Sequence, residues 1–212
     1  PHKDLTMERY HHSPPNYRNT TMNRYYEIMQ ILATTPSAWS GHFDFSQWII
    51  KEKSPEVIVE LGVDYGFSSL AFTMPDVGHV YSIDCFAGMH EISQPEAYTR
   101  NLIQTFDIKN ITLIKDYFDN VAREWNKPID ILHIDGDHAY ESVKKDFETW
   151  SKFVKDDGVI LMHDTCVEYF GVKDFFAEIN LPKTNFPQSS GLGVVSKNVE
   201  LIEKVKRTFN LE

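Results

Sequence analysis

The chain has 212 residues, 42% of them hydrophobic and 13% aromatic, which suffices for one domain with a sizeable core and excludes a largely disordered chain. With 31 acidic against 21 basic residues the formal charge is −10, which argues against a surface for nucleic-acid phosphates. No apolar run approaches the length of a membrane span, the polar start is no signal peptide, and Cys85 and Cys166 make no disulfide framework, so a cytoplasmic, reducing setting is expected.

Residues 1–16, with His2, His11 and His12 among prolines and charges, read as an arm. From about Tyr17 to Leu32, Met22, Tyr25, Ile28, Met29 and Leu32 recur at amphipathic helical spacing. The aromatic stretch Trp39–Trp48 leads into a second helix reaching Lys53, with Asp44 or Ser46 as its cap. Trp48 is expected in the core, while Trp39 and Phe43 fit either the core or a lid over a site. Val57–Leu61 is a compact apolar run that fits a buried parallel strand, followed by a helix from Phe67 to Met74. Val80–Ile83 is a second strand, and Ser93-Gln-Pro-Glu96 resembles a capping box opening the next helix. Ile111–Ile114 and Ile129–Ile134 are further strands, with a short helix from Phe118 to Trp125 between them. Val143, Phe147, Trp150 and Val154 then form a core-facing helical stripe, and Asp156-Asp157-Gly158 turns the chain into a strand over Val159–Met162. A helix over 171–180, a hairpin pairing Lys183–Phe186 with 191–196, and a helix over Val199–Thr208 complete the pattern. Alternating strands and helices mean a doubly wound α/β fold with the strand-end acids along one rim.

Those acids are the chemistry-bearing residues. Ile129–Ile134 and Val159–Met162 each end in acidic and histidine residues, so Asp135, Asp137, His138, His163 and Asp164 are expected to meet in one crevice. Asp135 and Asp164 offer hard oxygen ligands suited to Mg²⁺ or Mn²⁺, with His163 either a further ligand or a strand-end donor to backbone. His138 has the near-neutral pKa of a general base, and Asp137 fits a turn. Gly62 and Gly66 allow a ligand to approach the backbone closely after Glu60, although the dinucleotide fingerprint is absent. Asp84 is placed to accept from two ribose hydroxyls, and Asp116 fits an adenine amino group or a helix cap.

The segments VIVELGVDYGFSSLAF, VYSIDCF and ILHIDGDHAYESVKKDF…DDGVILMHDT resemble the class I S-adenosylmethionine-dependent methyltransferases, most closely the subgroup of macrolide-sugar O-methyltransferases and cephalosporin-hydroxylase-like proteins. The resemblance runs from about Val57 to Ser196 and implies a Rossmann-like seven-stranded sheet with the last strand antiparallel. It divides the chain into an arm with added helices, 1–54, serving as lid or oligomer contact, and a cofactor-binding domain, 55–212. It places Glu60, Gly62 and Gly66 at the methionine portion of the cofactor, with Ser68 among its contacts, and Asp84 at the ribose. It makes Asp135 and Asp164 metal ligands beside the methyl donor, and His138 the general base. Metal-dependent members commonly carry two consecutive acids where this chain has His163-Asp164. The implied reaction is methyl transfer to a hydroxyl of a small sugar or polyol-like acceptor, in a homodimer or higher homo-oligomer. Two alternatives are a metal-dependent glycosyltransferase chelating a sugar nucleotide through Asp135-Gly-Asp137, which leaves Glu60 and Asp84 without a role, and a binding protein of the same fold without catalysis.

Overall fold

The computed structural model describes residues 20–35, 37–87 and 94–211. Its strands β1 (Val57–Leu61), β2 (His79–Asp84), β3 (Ile111–Lys115), β4 (Ile129–Ile134), β5 (Val154–His163), β6 (Lys183–Phe186) and β7 (Leu192–Val195) form one 7-stranded sheet in the order β3-β2-β1-β4-β5-β7-β6. The first five run parallel, and β7 is antiparallel to both β5 and β6, as the expected hairpin and last strand require. Strand order reverses between β1 and β4, where Leu61 pairs with Ile134, and the crevice outside their carboxyl ends is where such sheets bind ligands.

Alternate residues of the strands feed two cores, one on each face. Ile58, Ile131, Val159 and Leu161 join the first, and Val59, Leu61, Leu132 and Met162 the second. The first core is covered by α1 (Thr20–Leu32), α2 (Phe43–Lys53), α3 (Phe67–Thr73) and α8 (Val199–Phe209), the second by α6 (Tyr140–Trp150) and α7 (Gly171–Glu178), with α5 (Phe118–Glu124) packed beside α6. Ile28, Leu32, Trp39, Phe45, Ile49 and Ile50 lie in the same cluster as Ile58 and Val194, so the N-terminal helices pack on a sheet face rather than over its edge. No helix among the described residues is long and apolar enough to cross a membrane.

Several expected boundaries move, each for a local reason. The second helix starts at Phe43, continuing a 3₁₀ turn (Ala38–His42) capped by Ser37, whose hydroxyl accepts from Trp39 N. Ser46 is therefore inside the helix, its hydroxyl donating to Phe43 O, and neither it nor Asp44 is the cap. Val154 opens β5 by pairing with Ile129 instead of ending the helical stripe, and Asp156-Asp157-Gly158 lies within the strand. Helix α4 (Pro95–Thr105) begins with Pro at its first turn after a left-handed Gln94. Ser93 of the expected capping box, Tyr17 and the arm with its three histidines lie outside the described residues.

Candidate active site

A cleft of about 950 Å³ opens at the carboxyl ends of β1, β2, β4 and β5. Two glycines make the β1–α3 turn possible. Gly62 has φ +93°, and a Cβ there would lie 1.9 Å from Asp135 O, so only glycine lets the end of β4 pass this close. Gly66 also has positive φ and faces Thr99. Asp84, at the end of β2, accepts from Val63 N (2.8 Å) and Asp64 N (3.3 Å) with one oxygen and from Phe86 N (2.7 Å) with the other. It thus ties two loops together while facing the cleft. Gly62, Ser68, Asp84 and Asp135 line that cleft, whereas Glu60, Gly66 and Asp116 do not.

The positions of these last residues have physical reasons. Glu60 precedes the strand end by one residue, so its side chain points to the face covered by α3, where it is 0% exposed. There it accepts from the hydroxyls of Ser68, Ser69 and Ser82, with His133 Nδ1 at 3.4 Å. Trp39 Nε1 donates to His133 Nε2 at 2.9 Å, so a buried chain of side chains runs from Glu60 to an indole that does line the cleft, with no hydrogen bond closing the 3.4 Å step from Glu60 to His133 Nδ1. Asp116 accepts from Tyr117 N and Asn120 Nδ2, both at 2.7 Å, which holds the start of α5. Replacing Trp39 by Phe strands the His133 acceptor and is expected to cost about 1–3 kcal/mol in urea unfolding. A loss below the error of the measurement would remove this hydrogen bond from the stability account.

The other end of the cleft gathers residues from β4, β5 and the loops beyond. His138 Nε2 lies 3.0 Å from Asp164 Oδ2 and 4.0 Å from Asp135 Oδ1, with the ring stacked on Phe170 at a centroid distance of 4.1 Å. Gly171 N donates to His138 O, so the start of α7 holds this stack in place. His163, 4% exposed, lies beneath. Its Nε2 is 3.0 Å from Ser189 O, a carbonyl that only accepts, so this nitrogen carries a proton. Its Nδ1 faces Asp135 Oδ1 at 3.3 Å and Asp164 Oδ1 at 3.4 Å. Burial opposes charge on His163, but the Asp135 charge and the hydrogen bonds to both carboxylates outweigh it and raise its pKa to about 10. Asp164 responds in the opposite sense: burial would raise its carboxyl, yet the bonds from His138 and His163 hold it well below the usual carboxylate range. The hydrogen bond with Asp164 raises the His138 pKa above its ordinary value.

These protonation states revise the metal set. Asp135, His138 and Asp164 each present a ligand atom, all within 4.8 Å of one another. Two carboxylates and an imidazole fit a divalent cation, Mn²⁺ or a later ion better than Mg²⁺, which prefers oxygen alone. His163, expected as a ligand, falls outside that set, its Nε2 bonded to Ser189 O and its Nδ1 directed at Asp135 Oδ1. Asp137 holds its own turn, accepting from Ala139 N and Ser142 Oγ.

Other contributors carry no signal in the sequence. His42 shares the Ser189 carbonyl with His163, its Nε2 at 3.2 Å and its ring 5.6 Å from the His163 ring. Burial, then the charge of His163, lowers its pKa to about 4. Phe170, Tyr169 and Asp146 also line the cleft. No local motif marks these residues, since strand-end position is the signal and they come from loops and helix interiors.

A family model described as "Methyltransferase domain" matches residues 59–165. An uncharacterized protein of Sinorhizobium fredii is 32% identical over 183 residues, covering 79% of this chain and 20% of its own length. Another, of Acanthamoeba polyphaga mimivirus, is 34% identical over 123 residues, 53% of each chain. The chain therefore spans between a fifth and about half of these relatives. Among solved structures, an O-methyltransferase of Bacillus cereus in complex with SAH is similar with a TM-score of 0.60 at 17% identity, over 82% of this chain and 91% of that one. An SAH-bound methyltransferase of Podospora anserina gives a TM-score of 0.60 at 13% identity, over 84% and 87%. The structures share the fold, and the match of the family model across half the sequence, spanning β1 to the end of β5, makes this chain a member of the methyltransferase-domain family.

Proposed function

We propose that the protein transfers a methyl group from S-adenosylmethionine to a hydroxyl of a small, sugar- or polyol-like acceptor, with His138 as general base. The observation that carries this reading is one cleft at the β1–β4 switch point that joins a strand-end acid suited to ribose, Asp84, to the His138–Asp164 pair. S-adenosylmethionine supplies an electrophilic methyl group on a sulfonium centre. Asp84 keeps a lone pair on Oδ1 for a ribose hydroxyl while its bonds to Val63, Asp64 and Phe86 fix its direction. Gly62 and Gly136 line the cleft between Asp84 and Asp135 and let β4 and the Phe118 ring pack closely there. Neutral His138, donating Nε2–H to Asp164, takes the proton of the acceptor hydroxyl at Nδ1, and Asp164 stabilises the imidazolium that results. His163 keeps Asp135 and Asp164 in place and offsets part of their negative charge. Positioning of the hydroxyl in line with the methyl supplies most of the acceleration. A divalent cation held by Asp135, His138 and Asp164 would instead acidify a bound hydroxyl, and it would take the His138 nitrogen that the base mechanism needs. The Nε2 contact with Asp164 uses that nitrogen as a donor and leaves Nδ1 as the basic nitrogen, which fits the base role.

Calorimetric titration of S-adenosylhomocysteine tests the reading. Micromolar binding to wild type is expected, weakened in Asp84→Ala by about 1–3 kcal/mol through loss of charge-assisted hydrogen bonds. Asp84→Asn keeps the loop contacts in part and separates ribose binding from loop collapse. Repeating the titration with Mn²⁺ or Mg²⁺ measures any metal dependence. Absence of binding under every condition, with uridine nucleotides binding in its place, would move the assignment to sugar-nucleotide chemistry.

A further inference from the structure

The large apolar side chains exposed among the described residues are Tyr26, Tyr98, Tyr117, Tyr169 and Val199. Of these, Tyr117 and Tyr169 line the cleft, one beyond β3 and the other beyond β5. At 84% exposure Tyr169 is the most open of the five, and the proposed reaction gives it no task. A ligand that covers an aromatic face at the mouth of a cleft removes a large apolar area from water.

The backbone holds this ring in a fixed relation to the proposed base. Beyond β5 the chain turns twice, Val167 N donating to Asp164 O and Phe170 N to Val167 O, both at 3.2 Å. Cys166 N donates to Ser190 O and Gly171 N to His138 O, so the segment is tied to neighbouring loops at both ends. The Tyr169 and Phe170 rings meet at a centroid distance of 4.8 Å and an angle of 74°, and Phe170 in turn stacks on His138. Tyr169 therefore stands one aromatic ring away from the imidazole that faces Asp135 and Asp164. Its exposure leaves the ring faces open to a ligand.

We infer that Tyr169 is the platform on which the acceptor stacks, and that the acceptor is a pyranose ring rather than an open-chain polyol; this rests on the methyl-transfer reading above. The face of an aromatic ring is negative, so it attracts the weakly positive C–H groups that a pyranose presents together on one side. An open-chain polyol has no such flat side and loses more torsional freedom when it is held. A planar aromatic acceptor gains most between two rings in a dry slot, whereas Tyr169 is a single ring in contact with water. The hydroxyl rim of a stacked pyranose also suits the carboxylates of Asp135 and Asp164, which accept from O–H donors.

The experiment is saturation-transfer NMR on the protein loaded with S-adenosylhomocysteine. The probes are the methyl glycopyranosides of glucose, galactose and fucose, with sorbitol as the open-chain control. Wild type, Tyr169→Phe, Tyr169→Trp and Tyr169→Ala are compared, with thermal melts to confirm that each is folded. In wild type at least one pyranoside is expected to receive saturation, strongest at the C–H protons of one ring face, while sorbitol receives none. Tyr169→Ala is expected to weaken that pyranoside about tenfold, and Tyr169→Phe and Tyr169→Trp to retain it, because the ring and not its hydroxyl makes the contact. Equal binding of sorbitol, equal binding to Tyr169→Ala, or a loss in Tyr169→Phe as large as in Tyr169→Ala overturns the inference. Binding of S-adenosylhomocysteine with no signal from any pyranoside overturns it too, and leaves the cofactor reading intact. Failure of wild type to bind S-adenosylhomocysteine at all overturns both.

Discussion

The substitution His138→Ala is expected to lower kcat by about 10²–10⁴-fold, the range for loss of a general base, while S-adenosylhomocysteine is expected to bind as it does to wild type. The separation follows from geometry. His138 is 38% exposed beside Asp164, and the proposed seat of the adenosyl portion lies on the Asp84 side of the cleft. Because the hydrogen bond with Asp164 raises the His138 pKa, the imidazole is protonated below that value and cannot accept a proton. Activity therefore rises with pH through an inflection above the ordinary histidine value of about 6.5. In Asp164→Asn the supporting charge is gone, so the inflection moves to lower pH as the maximal rate falls. Asn is suited to the left-handed backbone at Asp164 (φ +63°), which keeps this a test of charge and not of folding. A pH profile unchanged in Asp164→Asn, or a His138→Ala enzyme within tenfold of wild type, would remove His138 as the base.

The second large effect is on stability. Glu60→Ala removes the acceptor shared by Ser68, Ser69 and Ser82 and leaves His133 facing a void, all in a fully buried position. Each stranded donor costs about 1–3 kcal/mol, part of which the serine hydroxyls recover by turning to backbone carbonyls, so a net loss of about 3–5 kcal/mol is expected. It should be read as a fall in the urea midpoint at constant slope. Glu60→Gln keeps one acceptor oxygen but points an amide toward serine donors, and should fall between. A Glu60→Ala loss under about 1 kcal/mol would mean that the hydroxyls find full replacements and that the chain to Trp39 is not structural.

Which parts of this molecule can be read from sequence follows from how local their causes are. The bounds of β1 and β4 are legible to the residue because both strands are buried on both faces, which makes each a short apolar run between polar turns. Asp84, Asp135, His138, His163 and Asp164 are legible because topology sends every parallel strand end to one rim. Glu60 misleads because it adjoins that rim, yet strand alternation turns its side chain to the α3 face. The Asp156-Asp157-Gly158 stretch misleads because it has turn composition, but the pairing of Ile129 with Val154 carries the strand through it with both aspartates exposed. His163 shows a third kind of loss: its residue type suggests a ligand, and only its neighbours in space, Ser189, Asp135 and Asp164, decide that it donates from both nitrogens. Trp39 and His42 act through partners distant in sequence, and no pattern at their own positions records this.

The Ser189 carbonyl receives both His42 and His163, and His42 is 147 residues away from it in the chain. During synthesis His42 leaves the ribosome long before its acceptor exists, and Trp39 waits in the same way for His133, 94 residues later. The wall of the cleft built from Ser37, Ala38 and Trp39, with His42 at the end of the same 3₁₀ turn, therefore closes only after β5 and the loop leading into β7 have been made. Contacts of such long span fold slowly, since loop-closure entropy is lost before they form. The nascent chain can pair its first strands early, but its reaction centre is among the last parts of the protein to become whole.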